Sequence, residues 1–281
     1  MTVINTNTAA TLTANALTKN ERAMSQAMER LSTGVRINSA ADDAAGLAIS
    51  SRMTSQVNGL NMAVRNANDA ISMVQTADGA MIEIDNMLQR MREIAVQGAS
   101  GTNTGTNDMA ALNTEYEALR DQIFQIVDDT EWNGTTLLDG NVAGSTDQTV
   151  DYQIGANASQ TITVDFGDFE STNDFGSAFV TLHNIDAATE ANTAIGTVDA
   201  ALVAVNTQRA KYGAAINRLE YAADNLANVS QNTSASRSRI LDADYAAETT
   251  ELARTQIIQQ AGTAMLSQAN QASQSVLGLL R

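Results

Sequence analysis

A chain of 281 residues with one histidine, His183, and no cysteine has few routes to covalent chemistry. Nucleophilic triads need an imidazole to carry the proton, and multi-histidine or thiolate metal sites need several such ligands. One imidazole leaves a single triad arrangement open. The absence of thiol excludes thiol catalysis, disulfide staples and thiolate metal binding. Asp42-Asp43 and Asp128-Asp129 are paired carboxylates, but they fall on helical or capping ground without a pocket of aromatics. Ser39 followed by Asp42 reads as a capping pattern. Gly98 and Gly101 follow a helix, whereas a phosphate loop needs a strand before its glycines. Met24, Met28, Met81 and Met91 lie on apolar stripes, where they pack rather than ligate. The expectation is no catalytic residue, no cofactor, no metal, and no enzyme.

The elements that carry these residues are long helices. Leu17, Met24, Met28, Leu31 and Val35 form one stripe on a first helix, at gaps of seven, four, three and four. A longer run follows through Val57, Leu60, Val64, Ala67, Ile71, Val74, Ala77, Met81, Ile84, Leu88, Met91 and Ala95, at helical spacing. Its doubled gap of three around Val74 would overwind a coiled coil locally. Gly98 stands where a left-handed cap belongs. A Gly, Thr and Asn loop leads to a third helix with Leu112, Tyr116, Leu119, Ile123 and Ile126, which Asn107 or Asp108 could cap.

The period then changes. Asn133-Gly134 and Asp139-Gly140 are turn dipeptides. Tyr152 and Ile154, then Ile162, Val164 and Phe166, alternate with polar residues on either side of Gly155 to Gln160, as in a β-hairpin. Helical spacing returns with Ile195, Val198, Leu202, Val205, Tyr212, Ile216, Leu219, Ala223 and Leu226. A last helix carries Ile258, Ala261, Met265, Ala269, Ala272, Val276 and Leu280. The fold class expected is all-α with a small β-hairpin: an elongated antiparallel long-helix bundle, plus terminal helices that form a coiled coil on assembly. The terminal stripes are narrow and alanine-rich, with little to bury against inside one chain. Such helices should order only against a partner surface.

The formal net charge is -16, which disfavours nucleic acid and anionic membranes. No Lys or Arg stands between Arg120 and Arg209, although acidic residues continue. Asp151, Asp165, Asp168, Glu170 and Asp174 cluster around the hairpin with no basic neighbour in sequence, so an outward, solvated placement is expected. The first eighteen residues carry no charged side chain and no continuous apolar run, unlike a cleaved secretory signal. Without 18 consecutive apolar residues, no membrane-spanning helix is expected.

Five segments, in order along the chain, closely resemble the signatures of bacterial flagellins. They are LSTGVRINSAADDAAGLAIS at Leu31–Ser50, LQRMREIAVQ at Leu88–Gln97, WNGTTLLDG at Trp132–Gly140, YQIGANASQTITV at Tyr152–Val164, and the C-terminal stretch from SRILDADYAAETTELAR at Ser238 to VLGLLR ending at Arg281. The resemblance implies a helical core domain over residues 45–235 and a terminal-helix domain from residues 1–44 and 236–281. With only about forty residues between Gly140 and His183, the outer domains of larger flagellins are missing, so the chain reads as a minimal form.

The implied function is a secreted structural subunit that polymerises into the helical flagellar filament for motility. Leu17, Met24, Met28, Leu31, Val35, Ile258, Met265, Val276 and Leu280 would carry polymerisation. Implied partners are the chain itself, the filament cap and hook–filament junction proteins, and the flagellar export chaperone and export apparatus. The helix at Leu88–Gln97 also resembles the portion read by the flagellin-sensing Toll-like receptor of animal hosts. Gln89, Arg90, Glu93, Ile94, Gln97 and Glu115 are the matching residues. A hook–filament junction protein, or a cytoplasmic coiled-coil scaffold, remains the alternative.

Overall fold

With no proline to remove a backbone donor, each apolar run can propagate until a cap stops it. The computed structural model describes residues 6–101, 106–140, 142, 148–169, 179, 182 and 185–278; the side chains of 106 and 272–278 fall outside that description. Helix α1 (Thr8–Thr33) begins where Asn7 Oδ1 accepts the Ala10 N–H at 3.1 Å. It ends at Gly34, whose φ of 73° is left-handed and whose N–H donates to Arg30 O at 2.9 Å. Val35 therefore lies beyond α1. It forms an isolated bridge with Asp242, beside the Arg36 N–H to Leu241 O bond of 2.7 Å.

Helix α2 (Ala44–Gly98) spans 55 residues, about 80 Å at 1.5 Å per residue. The adjacent carboxylates before it divide the work. Asp42 Oδ2 accepts from Ser39 N, Ser39 Oγ and Asn38 N at 2.9, 3.1 and 3.2 Å and closes the turn, while Asp43 Oδ1 caps α2 through Gly46 N at 2.8 Å. Gly98 is not left-handed. A Cβ there would lie 3.3 Å from that of Ala191 and 3.5 Å from Met109 Cε, so the glycine permits close helix approach. Helix α3 (Thr106–Asp129) begins early enough to put Asn107 and Asp108 in its first turn, where an acidic side chain suits the helix dipole.

Strands β1 (Glu131–Trp132) and β2 (Thr135–Thr136) pair across Asn133 and Gly134, both at positive φ, as a tight hairpin turn requires. Strands β3 (Thr149–Gln153) and β4 (Thr161–Asp165) are antiparallel, with Tyr152 opposite Ile162. Helices α4 (Ala188–Leu241) and α5 (Tyr245–Gly278) complete the order. The long helices, hairpin and terminal helices match the fold class read from the sequence.

Two compact units result: Met1–Val57 with Asn232–Arg281, and Asn58–Gln231. The first extends further into α2 and α4 than residues 44 and 236. In the second, α2, α3, α4 and the β3–β4 hairpin share one core containing Leu88, Tyr116, Ile123, Val164, Phe166 and Tyr212. α2 and α4 run antiparallel, tied by Arg92 Nε to Asp199 Oδ1 at 2.7 Å and Arg209 Nε to Asp78 Oδ1 at 3.0 Å. Burial on α2 follows Leu60, Ala63, Ala67, Ala70, Val74 and Ala77, so the inner face is regular around Val74. Val64 and Ile71 flank it half-buried. Small alanines let neighbouring helices approach where larger side chains would hold them apart.

The terminal helices do have an intrachain partner: α1 packs antiparallel on α5. Asn7 Nδ2 donates to Ala269 O at 3.2 Å near one end, and Arg30 Nη1 to Glu248 Oε1 at 3.0 Å near the other. This corrects the expectation that their stripes have little to bury against within one chain.

Candidate assembly and recognition surfaces

Pairing covers only one face of each terminal helix. On α1 the inward positions are Ala10, Thr13, Leu17, Asn20, Met24, Ala27 and Leu31, a strict alternation of three and four. On α5 they are Leu252, Thr255, Gln259, Gly262, Leu266 and Ala269. Leu17, Met24 and Leu31 are thus partly covered by α5. Large apolar residues remain in water: Leu12 is 73% exposed, Ile257 66%, Met265 60%, Met28 49% and Ile258 41%. Leu12 and Ile257 belong to no apolar stripe in the sequence, and only the tertiary pairing marks them. Val276 has no described side chain, and Leu280 lies outside the described residues.

A second constellation lies on α2 and α3. Arg90 Nε and Nη2 donate to Glu115 Oε1 at 3.0 and 2.8 Å, and Nη1 donates to Glu93 Oε2 at 2.9 Å. These bonds, Glu115's first, hold the guanidinium above its usual pKa. Gln89 Nε2 donates to Asp85 Oδ2 at 2.7 Å one turn away. Gln89, Arg90, Glu93, Gln97 and Glu115 are all exposed. Ile94 is fully buried in the core, as is Met91, so Ile94 supports the surface from beneath and cannot touch a partner. Around the helix Gln89, Glu93 and Gln97 lie to one side of Arg90 and face water, while Ile94, one turn on and to its other side, joins Met91 and Leu88 in the core.

The acidic hairpin region is less uniform than its sequence. Asp151 is exposed, and Asp165 accepts an ion pair from Lys211 Nζ at 2.8 Å, a basic partner 46 residues away. Asp168 is only 7% exposed, which corrects its expected outward placement. It bridges Asp139 and packs so closely on Gly140 that a Cβ there would sit 2.7 Å from the Asp168 Cγ. Glu170, Asp174 and His183 lie outside the described residues. Among the described residues no cluster of side chains has the composition of a metal site, and no helix is long and apolar enough to cross a membrane.

Comparison with known proteins agrees along the chain. Residues 4–143 match the family model for the bacterial flagellin N-terminal helical region, and residues 195–280 match that for the C-terminal helical region. The chain is 46% identical to the flagellin of Halalkalibacterium halodurans over 91% of both chains. It is 40% identical to the flagellar filament 33 kDa core protein of Treponema phagedenis, over 99% of this chain and 100% of that one. Among solved structures, that of Bacillus cereus flagellin superposes with a TM-score of 0.51 at 33% identity, covering 58% of this chain and 88% of the other.

Proposed function

The chain belongs to the bacterial flagellin family and is a structural subunit of the extracellular flagellar filament; we propose that its copies join through the apolar residues that the α1–α5 pair leaves in water. The observation that carries this is the exposure of Leu12, Met28, Ile257, Ile258 and Met265 on helices whose other face is already paired. Identical subunits that meet through different patches on each side build an open helical polymer. Each burial gains roughly 25 cal/mol per Å² of apolar surface, so many neighbours together outweigh the loss of subunit freedom. Val276 and Leu280 belong to the same proposal. The role is mechanical and involves no reaction.

Ile258→Asp tests the surface. A charge buried there without a partner is costly, so this variant should remain unpolymerised while the core unit melts as in the unaltered chain. Leu88→Ala should instead lower core stability by about 2–5 kcal/mol, as large-to-small core changes do. Normal filaments from Ile258→Asp would remove that residue from the interface.

A second reading rests on the Arg90–Glu93–Glu115 cluster. We propose that Gln89, Arg90, Glu93, Gln97 and Glu115 form the face recognised by the flagellin-sensing Toll-like receptor of animals, with Ile94 as internal support. Exposed ion pairs contribute about 0–1 kcal/mol to stability, so their rearrangement toward a partner costs little. Arg90→Ala should weaken monomer binding to the isolated receptor ectodomain by about 2 kcal/mol or more. An unchanged affinity would exclude Arg90 as an anchor. The cap, hook–filament junction, export chaperone and export apparatus are proposed as further partners on family resemblance alone. Extracellular localisation removes the cytoplasmic scaffold reading, and relatives named as filament proteins favour a filament subunit over a junction protein.

A further inference from the structure

The α1–α5 seam mixes leucine and methionine with small and polar side chains, which raises the question of what fixes its register. Along α1 the inward residues repeat every seven: Ala10, Leu17, Met24 and Leu31 at one position, Thr13, Asn20 and Ala27 at the other. Along α5 the same repeat runs Leu252, Gln259 and Leu266, then Thr255, Gly262 and Ala269. A slide of one helix by seven residues, about 10.5 Å, therefore sets similar small and aliphatic residues against each other again. Apolar burial distinguishes poorly between such registers.

The Arg30–Glu248 ion pair distinguishes them near one end, and two contacts do so in the middle of the seam. Asn20 is 8% exposed, and its Nδ2 donates to Thr255 O at 2.8 Å and to Gln259 Oε1 at 3.3 Å. Beside it, Leu17 fills the space left by Gly262, where a Cβ would meet Leu17 Cδ1 at 2.8 Å. Sliding by seven residues either way puts Leu252 or Leu266 opposite Asn20 in place of Gln259. It also puts Thr255 or Ala269 opposite Leu17 in place of Gly262. The helix carbonyl is available in any register, but the Gln259 amide is not. A buried side-chain amide facing leucine would lose a hydrogen bond, which is costly away from water.

We infer that Asn20, paired with Gln259 and seconded by the Leu17–Gly262 notch, is the specificity-determining residue that holds α1 and α5 in one antiparallel register. A polar residue at one seam position commonly acts this way in coiled coils, at some cost in stability. Register decides function here because it fixes which of Leu12, Met28, Ile257, Ile258 and Met265 lie side by side on the outer surface. A slipped pair would present a surface that neighbouring subunits do not fit. The inference rests on the proposed role of that surface, but register can be read without assembly.

The chain has no cysteine, so two introduced thiols carry the only labels. Nitroxides on Thr18→Cys and Gln268→Cys, both exposed, report the α1–α5 separation by pulsed dipolar spectroscopy. Labelled chains are diluted into excess unlabelled chain and polymerised, and both filament and supernatant are measured. The parent should give one distance. Asn20→Leu places leucine opposite leucine in the slipped registers, so a second, displaced population should appear. Adding Gly262→Ala, which collides with Leu17 only in the native register, should enlarge it. A single unchanged distance in Asn20→Leu would show that the Arg30–Glu248 ion pair and the backbone bonds at Val35 and Asp242 set register without Asn20, and would overturn the inference. Loss of any defined distance in both fractions, with loss of helical signal, would assign Asn20 to stability instead and overturn it equally. If Asn20→Leu shows the displaced population but polymerises normally, register is confirmed and the proposed assembly surface is what fails.

Discussion

Tyr116 and Tyr212 bury their hydroxyls in the same core with opposite consequences. The Tyr212 Oη–H donates to Phe166 O at 2.6 Å, tying α4 to the residue after β4. The Tyr116 hydroxyl is fully buried and has no hydrogen-bond partner among the described residues. A buried polar group left unpaired costs about 1–3 kcal/mol, whereas a made bond contributes about 1. Tyr116→Phe should therefore hold or raise core stability by up to about 1–2 kcal/mol, and Tyr212→Phe should lower it by about 1–2 kcal/mol. Denaturant titration of both variants decides it, and equal losses would contradict the distinction. Desolvation also raises the Tyr116 pKa from 10.0 to about 12 and pushes Tyr212 up as well. Between those values the unfolded chain has released a proton that the folded chain keeps. The associated stability is intact below pH 10 and declines as pH rises toward 12, by up to about 1.4 kcal/mol per unit for each tyrosine. Tyr116→Phe should show a shallower alkaline loss of melting temperature than the parent chain.

At the level of elements, the turn between α1 and α2 buries Ile37 and is closed by the carboxylate of Asp42. That carboxylate gathers the Asn38 and Ser39 N–H groups and the Ser39 hydroxyl, and accepts from Gln26 Nε2 of α1 at 3.0 Å. The Ser39 backbone bond is the leading cause that holds its pKa below the usual 3.8. A depressed carboxyl favours the folded turn above the unfolded value, and that advantage disappears as pH falls through the folded one. Amide exchange at Asn38 and Ser39 should accelerate below about pH 4 relative to the intrinsic rate. In Asp42→Asn it should be fast already at neutral pH. Acid-independent exchange in the parent chain would mean that something other than the carboxylate closes the turn.

Over the whole molecule, charge is divided unequally. The terminal unit has nine basic and eight acidic residues, a net charge of +1, whereas the core unit has seven and twenty-four, a net charge of -17. A near-neutral terminal unit can be packed densely against copies of itself. The core units, by contrast, repel when brought together, over a screening length of about 10 Å at 0.1 M salt. The critical concentration for polymerisation should accordingly fall as salt rises from about 20 to 200 mM. A rise over that range would mean that attractive ion pairs between subunits dominate assembly.

Helix, hairpin and helix order and the β3–β4 pairing were legible from residue types and spacing. Each is local: periods of 3.6 and 2 and the turn dipeptides act within a few residues. Gln89, Arg90, Glu93 and Gln97 were singled out by family resemblance and not by spacing. What the sequence could not decide was which residues face inward. Large aliphatics at Val64 and Ile71 suggested the buried stripe of α2, but alanines take most of its inner face, and Asn20, Gln259 and Gly262, which no apolar pattern marks, lie in the α1–α5 seam. Only the approach of a second helix determines that choice, because the room between two backbones decides whether alanine or leucine fits. Ile94 and Asp168 were buried, and Asp165 acquired Lys211, by the same cause: contacts between residues far apart in the chain, which no local pattern encodes.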